Sequence, residues 1–352
     1  MVKELICETV VYREAKPELM RFRNANRELH RNERYFDWRY LGGTDGREPV
    51  IIFARDAAGR LVGSLSVIPR SYWIGNRVGS VGVVGDISVD PTWRGQGVGG
   101  RMAEHAATEE AFRSLSLAMV LPNAPAARIY EKAGWQTCRV INRFKRVLRI
   151  DGLLKHRGYP DLVASALAGV GEPLLKVMFS PDSPFGSAIT EMSVGRSVDT
   201  RFDELWDRAG KAECVMAVRD RKHLTWRYID HPSVSYEFFT LQARGVLQGY
   251  IAFHAEGDTC YIDDVFCDGG QRVAQYLLAC FVANRRECSK ALWISARLTD
   301  DGVWERVLAR NAFVRRADNQ RVMIGRTAEC EGGSGGLPLT HRWLVTAGDK
   351  DV

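Results

Sequence analysis

The sequence predicts an α+β protein, with a mixed, mostly antiparallel sheet flanked by helices and built twice over. Three observations carry this. Strand-like runs crowd ahead of a glycine cluster at 95–100, with one strand and further helix after it, unlike the regular alternation of a doubly wound sheet. At roughly 150 residues per domain, a chain of 352 residues favours two domains. Short signatures of the first half then recur, in order, in the second.

Element by element, ICETVVY (6–12) alternates as a strand, and a polar, Arg-rich stretch from about Pro17 to Tyr40 reads as helical. VIIFARD (50–56), LVGSLSVIP (61–69) and VGSVGVVGDISV (78–89) are bounded by turn residues in the manner of meander strands. RMAEHAATEEAFRSL (101–115) is rich in helix formers, SLAMVL (116–121) is a short buried strand, and AARIYEKAG (126–134) is a helix stopped by Gly134. Residues 136–150 alternate again. PDLVASALAGVGEPLLKVMF (160–179) reads as a bridging helix or helix pair before the turn-rich SPDSPFGS (180–187).

The echoes pair FDWRYL (36–41) with LTWRYI (224–229), Gly63 with Gly249, GDISVD (85–90) with DDVFCD (263–268), and EKAGW (131–135) with ARNAF (309–313). They divide the chain into 1–150, a junction at 151–188, a second copy at 189–328 and a tail at 329–352.

Composition narrows the class. Hydrophobic residues at 45% and charged residues at 26% suit a globular chain rather than a disordered one. No run approaches the ~18 apolar residues of a membrane span. The N-terminus lacks a signal-peptide layout, and eight scattered cysteines without metal spacing read as reduced thiols. The expectation is a cytoplasmic protein without metal, membrane or nucleic-acid partners. Net charge is +6, but residues 1–150 hold 24 Lys+Arg against 16 Asp+Glu, while the remainder holds 25 against 27. The positive field therefore belongs to the first half, where it suits an anionic ligand.

The sharpest motif is ISVDPTWRGQGVGGRM (87–102): a strand, a turn at Arg94-Gly95-Gln96-Gly97-Val98-Gly99-Gly100, and a helix. Backbone N–H groups at such a turn cradle a pyrophosphate, and glycine lets the backbone approach it. Gly95-x-Gly97-x-x-Gly100 also fits a dinucleotide fingerprint, but that needs an acid at the end of the next strand, and SLAMVL runs into Pro122 and Asn123.

VDPxxRGxGVG followed by Asn123, Ala126, Tyr130, Lys132, Gly134 and Trp135 in N-x-x-A-x-x-x-Y-x-K-x-G-W resembles the GNAT N-acetyltransferase superfamily over residues 1–150. The resemblance implies a splayed sheet with acyl-CoA, most simply acetyl-CoA, lying across it. Its pyrophosphate would sit on residues 94–100, its pantetheine arm along Ile87, Ser88 and Val89, and Asn123 would steady the arm. It also implies that Tyr130 protonates the departing thiolate. Asp86, the acid nearest the reacting strand, is the candidate base, with a base acting through water as the alternative; His105 reads as structural. Residues 21–40 fall where the family binds its acceptor, and on one helix Arg23, Arg27, Arg31 and Arg34 would share a side with His30 beside them. They are either a solvated face or a clamp for an anionic acceptor.

The second half resembles a degenerate GNAT domain. GGQRVAQ (269–275) replaces the glycine turn, Leu308 stands where Tyr130 would, and Asp264 matches Asp86. The tail carries Trp343-Leu344-Val345, expected to dock as an edge strand, in a W-x-x-T-x-G-D pattern similar to the endings of tandem GNAT proteins. The function implied is acyl-CoA-dependent transfer to the amine of a small metabolite, with a nucleotide-linked amino sugar favoured. Antibiotic, amino-acid and protein acetyltransferases, and a non-catalytic acyl-CoA-binding regulator, stay open as alternatives, as does a homodimer.

Overall fold

The computed structural model describes residues 4–156, 158–163, 167, 169, 183–186, 188–211, 213–299, 302–325 and 339–350. The first half runs β1 (Leu5–Val11), α1 (Tyr12–Ala25), α2 (Glu33–Tyr40), β2 (Val50–Asp56), β3 (Leu61–Gly75), β4 (Arg77–Val89), α3 (Val98–Thr108), α4 (Glu110–Arg113), β5 (Leu117–Val120), α5 (Ala124–Lys132) and β6 (Gln136–Val147). After α6 (Ile150–His156) the second half runs β7 (Thr190–Gly195), α7 (Thr200–Arg208), β8 (Cys214–Ala217), α8 (Arg221–Leu224), which continues into a π-turn at Thr225–Ile229, β9 (Glu237–Ala243), β10 (Val246–Glu256), β11 (Thr259–Cys267), α9 (Gly270–Cys288), β12 (Trp293–Thr299), α10 (Trp304–Arg310) and β13 (Val314–Gly325). The tail adds β14 (Arg342–Trp343).

All the described strands belong to one sheet, ordered β1-β2-β3-β4-β5-β13-β6-β12-β11-β10-β9-β7, with β8 joined to β3 and β14 joined to β8. The two halves correspond strand for strand around the centre. β4 pairs in parallel with β5 as far as Val84↔Val120, and β11 with β12 as far as Ile262↔Ala296. Neither half closes its own sheet. β13 lies between β5 and β6, and β6 pairs on its other side with β12.

Alternation along β2 shows how the first half is layered, since successive side chains of a strand point to opposite faces. Val50, Ile52 and Ala54 pack beneath α3 and α5 with Val98, Met102 and Ala126. Ile51 and Phe53 face α1 and α2, with Tyr12, Leu19 and Tyr40. Close approach of α3 to β3 depends on Gly63, where a Cβ would lie 2.8 Å from Val98 Cγ1.

The Arg-rich stretch is not one helix. α1 ends at Ala25, where Asn26 Nδ2 donates to the Phe22 carbonyl, and Asn32 caps α2 by accepting from the Tyr35 amide. Residues 26–32 form a loop, so Arg31 leaves the helical face that Arg23 occupies. The helix expected over 101–115 is likewise split into α3 and the one-turn α4. Most of the expected bridging helix at 160–179, and the Gly/Ser spacer at 329–336, lie outside the described residues.

The repeated W-R-Y signature meets itself. Trp38 Nε1 donates to the Trp226 carbonyl at 2.8 Å, Trp226 Nε1 donates to the Trp38 carbonyl at 2.7 Å, and the two indoles stack 5.6 Å apart. The tail docks as a terminal strand, β14 pairing with β8 alone among the described strands. Trp343 is fully buried, and β14 runs parallel to β8. Gly348 fits because it lacks a Cβ, which would fall 1.9 Å from Tyr228 Oη. No described helix is long and apolar enough to cross a membrane.

Candidate active site

The pairing of β4 with β5 ends at Val84, while β4 continues to Val89 along β3 alone, so the sheet splays open between Gly85 and Pro122. A register shift between Ser64 and Ser66 places a bulge opposite, and Asp86 takes a left-handed φ of 56° within it. Bulges re-aim side chains beside functional clefts. A cavity of about 240 Å³ fills the splay. Ile87, Asn123 and Tyr130 line it together with Asp86, Arg27 and Lys350.

At one end of this cleft stands the glycine turn. Asp90 closes a short 3-10 turn at Pro91–Trp93 by accepting from the Thr92 amide, and Gly97 caps α3 with φ 81°. Gly95 has φ 75°, a conformation that glycine adopts without the penalty of a Cβ. A Cβ on Gly95, Gly97 or Gly100 would meet nothing within 4 Å, so these backbones face open space. Gly99 differs: a Cβ there would lie 2.9 Å from Ile129 Cδ1, so its role is to seat α3 against α5. Arg94 folds back, its Nε donating to the Val89 carbonyl at 3.2 Å. The first amides of a helix have no intrahelical acceptor, so an open N-terminus of this kind is built to take an anion. The residues present thus fit a diphosphate at the turn and an extended arm along Ile87–Val89.

Tyr130 projects from α5. Its ring is 1% exposed and stands edge-on to Trp135, with centroids 5.1 Å apart. Its Oη is buried without a hydrogen-bond partner among the described residues, and a buried hydroxyl left this way calls for an explanation. Burial, reinforced by the negative charge of Asp86, pushes the phenol above its ordinary range. Tyr130 is therefore held protonated. Asn123 caps α5 by accepting from the Ala126 amide at 3.0 Å, which occupies its carbonyl oxygen and leaves its amide nitrogen as donor.

Asp86 sits in a cage of cations. Arg23 Nη1 approaches its carboxylate to 2.7 Å, Arg27 Nη2 to 3.2 Å, Arg39 Nε is in direct contact, and Tyr40 Oη donates at 3.0 Å. Burial alone would raise its pKa, but Arg23, Arg39 and Arg27 outweigh it and hold the carboxyl well below the usual range. A carboxylate so stabilised is a poor proton acceptor.

The remaining expected residues disperse. Arg31 reaches Ser233 of the second half at 3.5 Å, Arg34 lines a separate open groove with Trp226, and His30 is exposed. His105 Nε2 lies 3.1 Å from Thr9 Oγ1 and 3.1 Å from Glu109, tying α3 to β1. In the second half Leu308 is a buried core residue, and Asp264 is held by Arg219 at 3.0 Å, Tyr250 and Thr346. Three features escaped the sequence reading: the contact of Arg39 with Asp86, the tail residues Asp349 and Lys350 in the wall of the cleft, and a His254–Asp263 pair in the second half. For Arg39, the W-R-Y echo was an available signal.

Residues 12–135 match the acetyltransferase (GNAT) family. No curated protein matches the chain by sequence. Among solved structures, a probable N-acyltransferase from Enterococcus faecalis V583 shares the fold with a TM-score of 0.64 at 10% identity, over 93% of this chain and 74% of that one. A GCN5-related N-acetyltransferase from Anabaena variabilis ATCC 29413 superposes with a TM-score of 0.61 at 15% identity, over 91% and 72%. A tandem GNAT protein from the clavulanic acid biosynthesis pathway does so with 0.55 at 13% identity, over 92% of this chain and 98% of its own. The glycine turn at α3 and the splay beside it thus lie in or next to the part of the chain that matches the acetyltransferase (GNAT) family, residues 12–135, and the chain as a whole shares the fold of these N-acetyltransferase structures, a tandem GNAT protein among them.

Proposed function

We propose that the first-half cleft transfers an acetyl group directly from acetyl-CoA to the amine of a small anionic metabolite, with a nucleotide-linked amino sugar as the favoured acceptor. The observation that carries this is the unpartnered Tyr130 hydroxyl in a splay that opens toward an accessible glycine turn. Acetyl-CoA supplies a thioester carbonyl and a thiol leaving group. Amides of β4 at Ile87–Val89, beyond the reach of β5, polarise the carbonyl. The amine attacks as the neutral base, the C–S bond breaks, and Tyr130 Oη donates to sulfur. The proton shed by the attacking nitrogen balances the one gained by the thiol. Asp86 serves as the anchor that fixes Arg23, Arg27 and Arg39 rather than as the base, and the amine's proton leaves through water.

The anionic preference rests on the charge of the first half and on Arg27 at the mouth of the cleft. The test is thiol release from acetyl-CoA across nucleotide amino sugars, aminoglycosides, amino acids and peptides. Turnover is expected with a nucleotide amino sugar. Acetyl-CoA binding without turnover on any acceptor would replace the enzyme with an acyl-CoA-binding regulator.

A further inference from the structure

The second half keeps a splay of its own. β11 and β12 part beyond Ile262↔Ala296, the counterpart of Val84↔Val120, and a cavity of about 530 Å³ opens there. That volume lies within the ~300–1,000 Å³ of small-ligand sites. It lacks a proton donor in place of Tyr130, because Leu308 is buried in the core. Its lining is nonetheless built for a ligand. Four cationic side chains, Arg31, Arg227, Arg297 and Lys350, line it with two carboxylates, Asp263 and Glu256; of these cations Arg297 also pairs with Asp318 at 2.9 Å and Arg227 Nε donates to the Gly348 carbonyl at 2.6 Å.

Ring surfaces accompany the charges. His254 Nδ1 lies 2.6 Å from Asp263 Oδ2, and its ring stacks on Tyr261 at 5.0 Å with planes 13° apart. His231 Nδ1 accepts from the Ser233 and Val234 amides at 3.2 and 2.9 Å, which puts its proton on Nε2 as a donor. Burial, with Arg227 and Arg31 nearby, draws this imidazole down to about 4, so it is neutral at physiological pH.

Two segments join this cavity to the catalytic cleft. The loop after α1 places Arg27 in the cleft and Arg31 in the cavity, and Lys350 of the tail lines both. We infer that the second-half cavity is a binding site for a nucleoside diphosphate, which would hold the anionic end of the acceptor while its amine reaches Tyr130. Guanidinium and ammonium groups suit the phosphates, and the Tyr261 ring, partly exposed and backed by its stack with His254, offers a surface for the nucleoside. The assignment rests on the function proposed above, but it is read by binding rather than by turnover.

The probe is uridine diphosphate, titrated calorimetrically into the full chain with CoA saturating the glycine turn. One equivalent is expected to bind, with shifts in the His231 and His254 imidazole resonances. Arg31→Ala and Lys350→Ala, on separate segments, should each weaken binding by about tenfold. Arg201→Ala, an exposed pair with Asp199 elsewhere, should leave it unchanged. Loss of all binding once CoA is present, or an unchanged affinity in both variants, would overturn the site. Inorganic pyrophosphate binding as tightly as uridine diphosphate would overturn the nucleoside assignment. Binding without transfer to any amine would leave the site standing and remove the catalytic reading instead.

Discussion

Replacing Asp86 with asparagine keeps the shape of the side chain and removes its charge. In the folded protein the Arg23 and Arg39 side chains, 4% and 5% exposed, would then be left facing each other without the anion that neutralises them. Removing one partner from a buried ion pair costs about 3–5 kcal/mol, and here two buried guanidiniums lose the same partner. The loss should therefore sit at the upper part of that range, partly offset by the exposed Arg27 swinging into water. Urea unfolding of wild type and Asp86→Asn at pH 7 measures it directly. The pH dependence fixes the cause. Because the folded-state pKa is depressed, the stabilisation is fully present above the unfolded value of about 3.9 and is lost as pH falls toward the folded value. The penalty should hence be constant from pH 5 to 8 and shrink only below about 4. A loss under about 1 kcal/mol would refute the claim that Asp86 anchors the cluster, since that is the scale of an exposed pair.

Tyr130→Phe should lower kcat by roughly 10²–10⁴-fold with the KM for acetyl-CoA unchanged, measured by thiol release; near wild-type turnover would remove Tyr130 as donor. Gly97→Val forces a branched side chain onto a φ of 81°, at a cost of about 1–3 kcal/mol. The acetyl-CoA KM should rise while the second-half core stays folded by circular dichroism. Gly348→Ala would drive a methyl into Tyr228 Oη and should destabilise the chain by about 1–3 kcal/mol, read by thermal unfolding.

Much of this architecture was legible. The strand runs, the glycine turn and Tyr130 follow from alternation, from left-handed turn positions and from a motif whose spacing is local. The break at 26–32 was also written in the sequence, because Asn26 and Asn32 are helix-ending and helix-starting residues, but the surrounding arginines and leucines favour helix and mask them. What propensity cannot give is the partner of a strand. Residues 136–147 and 314–325 alternate in the same way whether each closes its own half or crosses to the other, and only three-dimensional pairing decides. The His254–Asp263 pair is invisible for a related reason: a one-residue bulge between β10 and β11 sets which side chains meet there, and bulges leave no clear sequence mark.

The crossing of β6 and β13 also fixes when the protein can become active during its synthesis. The edge of β5 away from the cleft is closed by residues 323–325, the end of the last long strand. At about 5–20 residues per second, a ribosome needs roughly 10–40 s after finishing β6 to deliver them. Throughout that interval the nascent first half presents the unpaired edges of β5 and β6, an invitation to wrong pairing. The copy without a glycine turn or a proton donor is thus the template on which the other is finished, and a chain that stops early is exposed at the very strand that borders the splayed cleft.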